Sequence, residues 1–326
     1  MKDIAFFLAD SGPTVGLGHL RRLLVLAAEF RRRGLECGFL LTNMADAGFV
    51  ERAGFAASPW LNRLDALPAA KFVAIDGYCF DLSLSSRWRA QMGSVVLMVD
   101  DHAERPTDVD IVLNHNLYGA DLNYTDYCAR RILAGPHYAL IDPDFAALSG
   151  RPRPSSRRVL ASFGGTDDGR YGMAATRAVL ERDPDVMVDL VLASRAGGPE
   201  GPRDLESRYP GRCRVHHGAS MVARMAEANL YLGAAGVTLM EAIAAGLAIV
   251  VCGIVSNQEI NIRTLSKLGV AAFDTFELEA MAECVASCLA RPDHAKLDLI
   301  DGSGAKRVTD EILGFARSKH PVHQLG

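Results

Sequence analysis

The sequence predicts an α/β chain built from two parallel-sheet halves, and three observations carry the prediction. From residue 4 onward short apolar runs alternate with amphipathic segments, the rhythm of βαβ units. The stretch Gly150-Arg-Pro-Arg-Pro-Ser-Ser-Arg157, which has no apolar period, interrupts that rhythm, and the pattern then restarts. In each half a turn of small residues passes directly from an apolar run into a helix. The 326 residues suffice for two cores, and 49% apolar with 23% charged residues is an ordinary globular composition. The expected organisation is a first domain over 1–149, an exposed semi-rigid connector over 150–157, a second domain over 158–303, and a C-terminal helix and tail over 304–326. A deep cleft is expected between the two halves.

In the first half, strands are expected at Ile4–Ala9, Cys37–Leu41, Phe72–Ile75, Val95–Val99 and Ile111–Leu113. Gly16-Leu17-Gly18-His19-Leu20-Arg21-Arg22 follows the first of them. Leu20, Leu23, Leu24, Ala27 and Ala28 recur at helical spacing, so a helix begins at this loop. Arg31, Arg32 and Arg33 complement its C-terminal dipole, and Gly34 supplies the stop. The unpaired N–H groups of such a helix start point outward and suit an anion such as phosphate. His19 stands at that mouth, with a pKa suited to proton transfer near neutrality. The loop is neither a dinucleotide fingerprint, since Arg21 holds the third glycine position, nor a P-loop, since no Gly-Lys-Ser/Thr is present. Polar residues gather at the strand ends: Asp10-Ser11, Asp76, Asp100-Asp101, Asn114 and Asn116. Each alone serves equally well as a helix cap; together they mark the edge where a ligand binds.

In the second half, strands are expected at Arg158–Phe163, Val186–Ala193, Arg212–His216, Leu230–Leu232, Ala248–Val251 and Val270–Phe273, with a helix around Tyr171–Leu180. The first strand ends in Gly164-Gly165-Thr166-Asp167-Asp168. Leu230-Tyr-Leu-Gly-Ala-Ala-Gly236 runs into the helix Val237–Gly246, where the N–H groups of Gly236, Val237 and Thr238 suit a diphosphate. Glu241, one turn in, suits the two hydroxyls of a ribose. Asn257 and Gln258 open a later helix; their amides suit sugar hydroxyls or phosphate oxygens, though Asn257 reads equally as a cap.

The bulk numbers exclude several classes. A net charge of −4, with no basic face interleaved with aromatics, gives no reason to expect nucleic acid. Seven scattered cysteines with no C-x-x-C argue against a disulfide framework or zinc site, and Cys284 and Cys288 read as packing. The first apolar run is too short for a signal sequence or a membrane span, so a cytoplasmic protein with no stable membrane association is expected.

The ordered set Gly16-x-Gly18-His19-x-x-Arg22, Asp100-Asp101-x-Ala-x-Arg105, Gly135-Pro136-x-Tyr138-Ala-Leu140 and Ser162-Phe-Gly-Gly-Thr-Asp167 resembles a known family. So do Met221, Gly233-Ala-Ala-Gly236, Glu241, Gly246-Leu247, Asn257-Gln258 and Asp301-Gly302-x-Gly304-x-x-Arg307. The family is the UDP-2,4-diacetamido-2,4,6-trideoxy-β-L-altropyranose hydrolases of pseudaminic acid biosynthesis, relatives of GT-B glycosyltransferases. The resemblance runs from Asp10 to about Arg307. It implies two Rossmann-like domains, with the nucleotide held mainly by the second.

By the same resemblance His19 is the general base on the attacking water. Gly236, Val237, Thr238 and Glu241 hold diphosphate and ribose, and the segment His217–Met221 contacts uracil. Gly16, Gly18, Asp76, Tyr78, Gly164, Gly165, Asn257 and Gln258 complete the implied substrate contacts, and no metal or other cofactor is implied. Three positions depart from the pattern: Gly77 where many members have histidine, Met240 where an aromatic is frequent, and Val237 where threonine or serine is usual. They leave a different diacetamido sugar open. A glycosyltransferase on the same scaffold and a silent sugar-nucleotide sensor remain as alternatives.

Overall fold

The computed structural model describes residues 3–12, 15, 17–60, 69–81, 83–165, 167–192, 201–291 and 297–319. The chain divides into two compact units, Met1–Ile141 with Ser303–Gly326, and Asp142–Gly302. The first contains β1 (Ile4–Ala9), α1 (Gly18–Arg32), β2 (Glu36–Leu41), α2 (Ala47–Arg52), β3 (Ala56–Pro59) and β4 (Phe72–Asp76). It continues through α3 (Ser83–Met92), β5 (Val95–Val99), β6 (Ile111–Asn114) and β7 (Arg131–Ala134). The second contains α4 (Pro143–Ala146), β8 (Arg158–Ser162), α5 (Arg170–Arg182), β9 (Met187–Leu192), α6 (Pro202–Arg208), β10 (Cys213–His217) and α7 (Met221–Glu227). Then come β11 (Leu230–Ala234), α8 (Val237–Ala244), β12 (Ala248–Cys252), α9 (Glu259–Lys267), β13 (Ala271–Phe273) and α10 (Leu278–Ala290). The last helix, α11 (Gly304–Lys319), returns to the first unit.

Both sheets are parallel and doubly wound. Their orders are β3-β2-β1-β4-β5-β6-β7 and β10-β9-β8-β11-β12-β13, so the winding direction reverses between β1 and β4 and between β8 and β11. The register sets Ala9 beside Leu41 and Asp76, which brings the ends of β1 and β4 level. In the first unit Ala5, Phe7 and Ala9 face the core shared with Leu20, Leu23, Leu26 and Phe30 of α1 and Val308 and Ile312 of α11. Leu8, Val73 and Ile75 face the other way, onto Trp88 and Leu84 of α3. Two buried faces explain why these strands read as continuous apolar runs. α1 stops at the expected place: Gly34 adopts φ +88° and its N–H returns to the Arg31 carbonyl.

Three features differ from the sequence expectations. β3 and β7 are not visible in the pattern because both are short edge strands of four residues, and Ala-Ala-Ser-Pro of β3 is mostly exposed and has neither alternation nor β-branched side chains. The 150–157 stretch is not a free connector, because it belongs to the second unit. Arg153 donates to the carbonyls of Met225 (3.1 Å), Ala228 (3.4 Å) and Ala245, capping the ends of α7 and α8, while Asn229 donates to the Pro154 carbonyl (3.0 Å). The C-terminal helix is an integral part of the first unit. A Cβ at Gly304 would lie 2.1 Å from the Ala139 carbonyl oxygen, so only glycine lets α11 start there.

Candidate active site

In a doubly wound sheet the ligand crevice opens at the carboxyl ends of the strands where the winding reverses. In the first unit that place lies between the segments leaving β1 and β4. His19 is the second residue of α1, and Asp76 is the last residue of β4. His19 Nδ1 lies 2.6 Å from Asp76 Oδ1, with the carboxylate fully buried and the imidazole 14% exposed. Arg22, one helical turn after His19 and buried, donates through Nε to Asp76 Oδ2 (2.5 Å) and through Nη2 to Asp76 Oδ1 (2.6 Å). The other edge of the same guanidinium donates to Asp101 Oδ1 (2.7 Å) and Oδ2 (2.9 Å). Asn116 Nδ2 also donates to Asp101 Oδ1 (2.7 Å). One planar cation thus fixes two carboxylates bidentately, a geometry lysine cannot copy.

The charges set the protonation states. Burial works against a charged His19, but the charge and hydrogen bond of Asp76 outweigh it, so its pKa is raised above the ordinary 6.5. Burial would raise Asp76, yet Arg22 and His19 hold it below the usual carboxylate range. Asp101 is held low in the same way, chiefly by Arg22 acting against burial. His115, fully buried beneath this group, takes the Leu140 N–H on Nδ1 (3.1 Å) and lies 3.1 Å from Arg22 Nη1. Burial first, then the Arg22 charge, push its pKa down to about 4. His115 is therefore neutral at pH 7 and His19 is the ring poised to titrate.

Tyr78 is half exposed, and its ring meets His19 edge-on at 6.0 Å between centroids. Gly18 opens α1, whose first turn has no side-chain cap and no acidic residue, leaving its N–H groups open to an anion. Gly16 lies outside the described residues. The structure therefore brings Gly18, His19, Asp76 and Tyr78 together at one strand edge. Of the other strand-end carboxylates, Asp101 joins the same cluster, whereas Asp10 and Asp100 cap backbone turns.

In the second unit the remaining candidates share the carboxyl edge of one parallel sheet. Gly164 and Gly165 follow β8, are exposed, and have no atom near a would-be Cβ. Met221 opens α7 after β10. Gly236 is the N-cap of α8, with Val237 and Thr238 its first residues, and this start too lacks a side-chain cap and a first-turn carboxylate. Glu241 is buried. Gln258 is buried with Oε1 accepting the Ile254 N–H (2.9 Å), and that bond orients its amide nitrogen as a donor; a Cβ at Gly236 would lie 3.9 Å from it. Asn257 lies in the 3₁₀ turn Ser256–Gln258, whose N-cap is Val255, so it does not occupy the cap position. β11 runs two residues further than expected, because Gly233 lies flat against β8: a Cβ there would meet the Ser162 carbonyl oxygen at 2.0 Å.

No protein-family model matches the chain. Over 263 residues it is 22% identical to an uncharacterized protein of Methanocaldococcus jannaschii, an alignment that spans 75% of this chain but only 54% of that relative. It is 23% identical over 278 residues to the spore coat polysaccharide biosynthesis protein SpsG of Bacillus subtilis, covering 81% of each. It is 26% identical over 165 residues to the UDP-2,4-diacetamido-2,4,6-trideoxy-beta-L-altropyranose hydrolase of Campylobacter jejuni, covering 49% of this chain and 60% of that protein. Among solved structures, Acinetobacter baumannii MurG superposes with a TM-score of 0.64 at 15% identity, covering 96% of this chain and 100% of that one. The structure of TcCGT1 in complex with UDP gives 0.62 at 11% identity, covering 98% and 99%. The fold is GT-B.

Within this GT-B chain, Arg22 and His115 are the residues that the strand-end reasoning passes over. Arg22 carries a usable signal: it is three residues after His19 on the same helix, so it shares that face while its neighbours Leu20 and Leu23 enter the core. His115 is flagged only by an Asn-His-Asn run directly after an apolar strand. Among the described residues no helix is long and apolar enough to cross a membrane.

Proposed function

We propose that the protein is a nucleotide-sugar hydrolase that releases UDP from 2,4-diacetamido-2,4,6-trideoxy-β-L-altropyranose, a step of pseudaminic acid biosynthesis in the cytoplasm. The observation that carries the proposal is the His19–Asp76 pair at the β1/β4 reversal. Asp76 accepts the proton-bearing Nδ1, which leaves the lone pair on His19 Nε2 to receive a proton. In this reading Nε2 takes a proton from water as the water oxygen forms a bond to the anomeric carbon. The bond from that carbon to the β-phosphate oxygen breaks, and UDP departs with the electron pair. The sugar is released with inverted configuration, and the proton on His19 returns to solvent. The N–H groups of Gly236, Val237 and Thr238, with Gln258 beside them, would stabilise the diphosphate as its charge develops. Glu241 is assigned to the ribose, Met221 to the uracil, and Gly16, Gly18, Tyr78, Gly164, Gly165 and Asn257 to the sugar and its phosphates. The hydrolase of C. jejuni and the UDP-bound neighbour support the substrate class.

A second reading follows from the glycosyltransferase neighbours: the same base would deprotonate an acceptor alcohol instead of water. Time-resolved proton NMR of the protein with the UDP-linked sugar separates the two. The hydrolase reading expects UDP and free inverted sugar from the wild type and none from His19→Ala, which should still bind UDP. Turnover that waits for an added acceptor establishes the transferase instead. A sugar nucleotide left intact under both conditions refutes both for this sugar.

A further inference from the structure

The motif Asp100-Asp101-x-Ala-x-Arg105 contains a residue to which the proposed chemistry gives no task. Arg105 emerges from a short strap after β5 that is folded tightly. Asp100 accepts the His102 N–H on Oδ1 (3.2 Å) and, on Oδ2, the Arg105 N–H (3.2 Å) and the Tyr127 hydroxyl; Tyr127 Oη in turn accepts the Arg105 N–H (2.9 Å). Ala103 is forced to φ +54°, a left-handed conformation that a residue with a Cβ rarely adopts. This folding aims Arg105 across to the turn that leaves β4. Its guanidinium donates to the Gly77 carbonyl and to the Phe80 carbonyl (3.5 Å), and its central carbon lies 5.4 Å from the centroid of the Tyr78 ring. Among the described residues it pairs with no carboxylate, so this half-buried cation is committed to the turn and to the aromatic face.

The same turn is held from its other side. Asp10 Oδ2 accepts the N–H groups of Tyr78 (2.5 Å) and Cys79 (3.1 Å), and a Cβ at Gly77 would lie 2.4 Å from Asp10 Cγ. Its carbonyls are tied to Arg105 and its N–H groups to Asp10, so the turn is held from both sides. It presents the Tyr78 ring edge-on to His19 (6.0 Å) and stacked on His102 (6.5 Å between centroids, 29° between planes).

We propose that Arg105 is a positioning residue that acts through Tyr78, holding the ring as a wall beside His19 against which the pyranose of the sugar nucleotide packs. The inference rests on the reading that this unit receives the sugar, and its effect falls on sugar binding rather than on proton transfer. A lysine cannot span two carbonyls and stack on the ring at once, so Arg105→Lys restores the charge without the function.

The test has two arms. The first uses protein labelled with ¹³C in the tyrosine rings, with the Tyr78 signal identified by its loss in Tyr78→Phe. In Arg105→Gln and Arg105→Lys that signal is expected to move and sharpen toward a free ring while the other tyrosines stay in place; an unmoved Tyr78 signal overturns the proposal. The second arm follows UDP release. Arg105→Gln is expected to raise KM about tenfold, the equivalent of one cation–π contact with its ordering, with kcat and the acidic limb of its pH profile unchanged. A fall in kcat at unchanged KM, the pattern of a partly misfolded enzyme, overturns it. Should the wild type release no UDP, the hydrolase reading fails on its own, and the ring signal still decides the role of Arg105.

Discussion

His115 makes the first unit sensitive to acid at a site remote from the surface, and the size of the effect follows from its surroundings. The neutral ring is buried against the Arg22 guanidinium, and its pKa falls from the ordinary 6.5 to about 4. Because the folded value lies below the unfolded one, the unfolded chain binds the extra proton first as pH drops. Stability is therefore full above 6.5, is lost progressively between about 6.5 and about 4, and at ~1.4 kcal/mol per pH unit the whole span is worth about 3 kcal/mol. At pH 5 about 2 kcal/mol of it is expressed. His19 acts with the opposite sign: its pKa is raised, so the stability from its pairing is present at low pH and lost as pH rises through its folded value. Asp76 and Asp101 are held low, and what they contribute is lost only as pH falls through their folded values. Comparing the wild type with His115→Gln cancels these shared contributions, since glutamine keeps an acceptor for the Leu140 N–H but gains no proton in this range. Both tryptophans, Trp60 and Trp88, belong to the first unit, so urea unfolding followed by tryptophan fluorescence reads that unit alone. The wild type should lose about 2 kcal/mol more than the variant between pH 7 and pH 5. Equal losses would refute the electrostatic account of His115.

Three further outcomes are expected. Asp76→Asn removes the main upward influence on His19, so the acidic limb of kcat should shift to lower pH while kcat itself falls by about 10²–10⁴, measured by UDP release over pH 4.5–9. Gly77→Ala places a methyl 2.4 Å from Asp10 Cγ and should cost about 1–3 kcal/mol in the same fluorescence assay; a neutral result would mean that Asp10 repacks freely. Arg153→Met leaves the carbonyls at the ends of α7 and α8 without their donor and should lower the stability of the second unit by about 2 kcal/mol, read by hydrogen exchange at Ala228 and Gly246, with the tryptophan signal of the first unit unchanged.

What the sequence conveys and what it hides divide along physical lines. The βαβ rhythm, the stop at Gly34 and the placing of His19 and Asp76 on one edge are legible, because periodicity and turn chemistry are local and a parallel sheet puts every strand end on one edge, whereas Tyr78 enters only through the family resemblance. β3 and β7 are hidden because each is a short edge strand, and β3 is mostly exposed and needs no apolar face. Arg153 is hidden because a Pro-Arg-Pro run reads as solvent-exposed unless one knows that three helix-end carbonyls converge on it. Asp10, Asp76, Asp100 and Asp101 look alike in sequence, and only the reach of Arg22 from α1 and of the backbone N–H groups from the following turns separates the pair that charges the site from the pair that caps it.

That separation bears on how a base can work beside so much charge. A histidine facing two carboxylates without a cation would be held protonated well above neutrality and would have no lone pair to offer. A histidine beside a bare guanidinium would be too weak a base to take a proton from water. Arg22 sits between these limits: it binds Asp101 bidentately and shares Asp76 with His19, so the imidazole feels carboxylate charge that the guanidinium partly compensates. The result is a pKa raised above the ordinary value, which strengthens the neutral ring as a base. Arg22 therefore cannot be exchanged for a neutral residue by repacking alone. Arg22→Leu should fill the volume, yet it leaves buried Asp76 and neighbouring Asp101 without their shared cation and is expected to cost about 3–5 kcal/mol, with His19 and Asp76 no longer in register. Arg22→Leu combined with Asp101→Leu removes the surplus charge and should recover most of that stability, while His19, now facing Asp76 uncompensated, titrates at a still higher pH by ¹⁵N-histidine NMR. Recovery of stability with no upward movement of the His19 pKa would show that Arg22 serves the fold alone and takes no part in tuning the base.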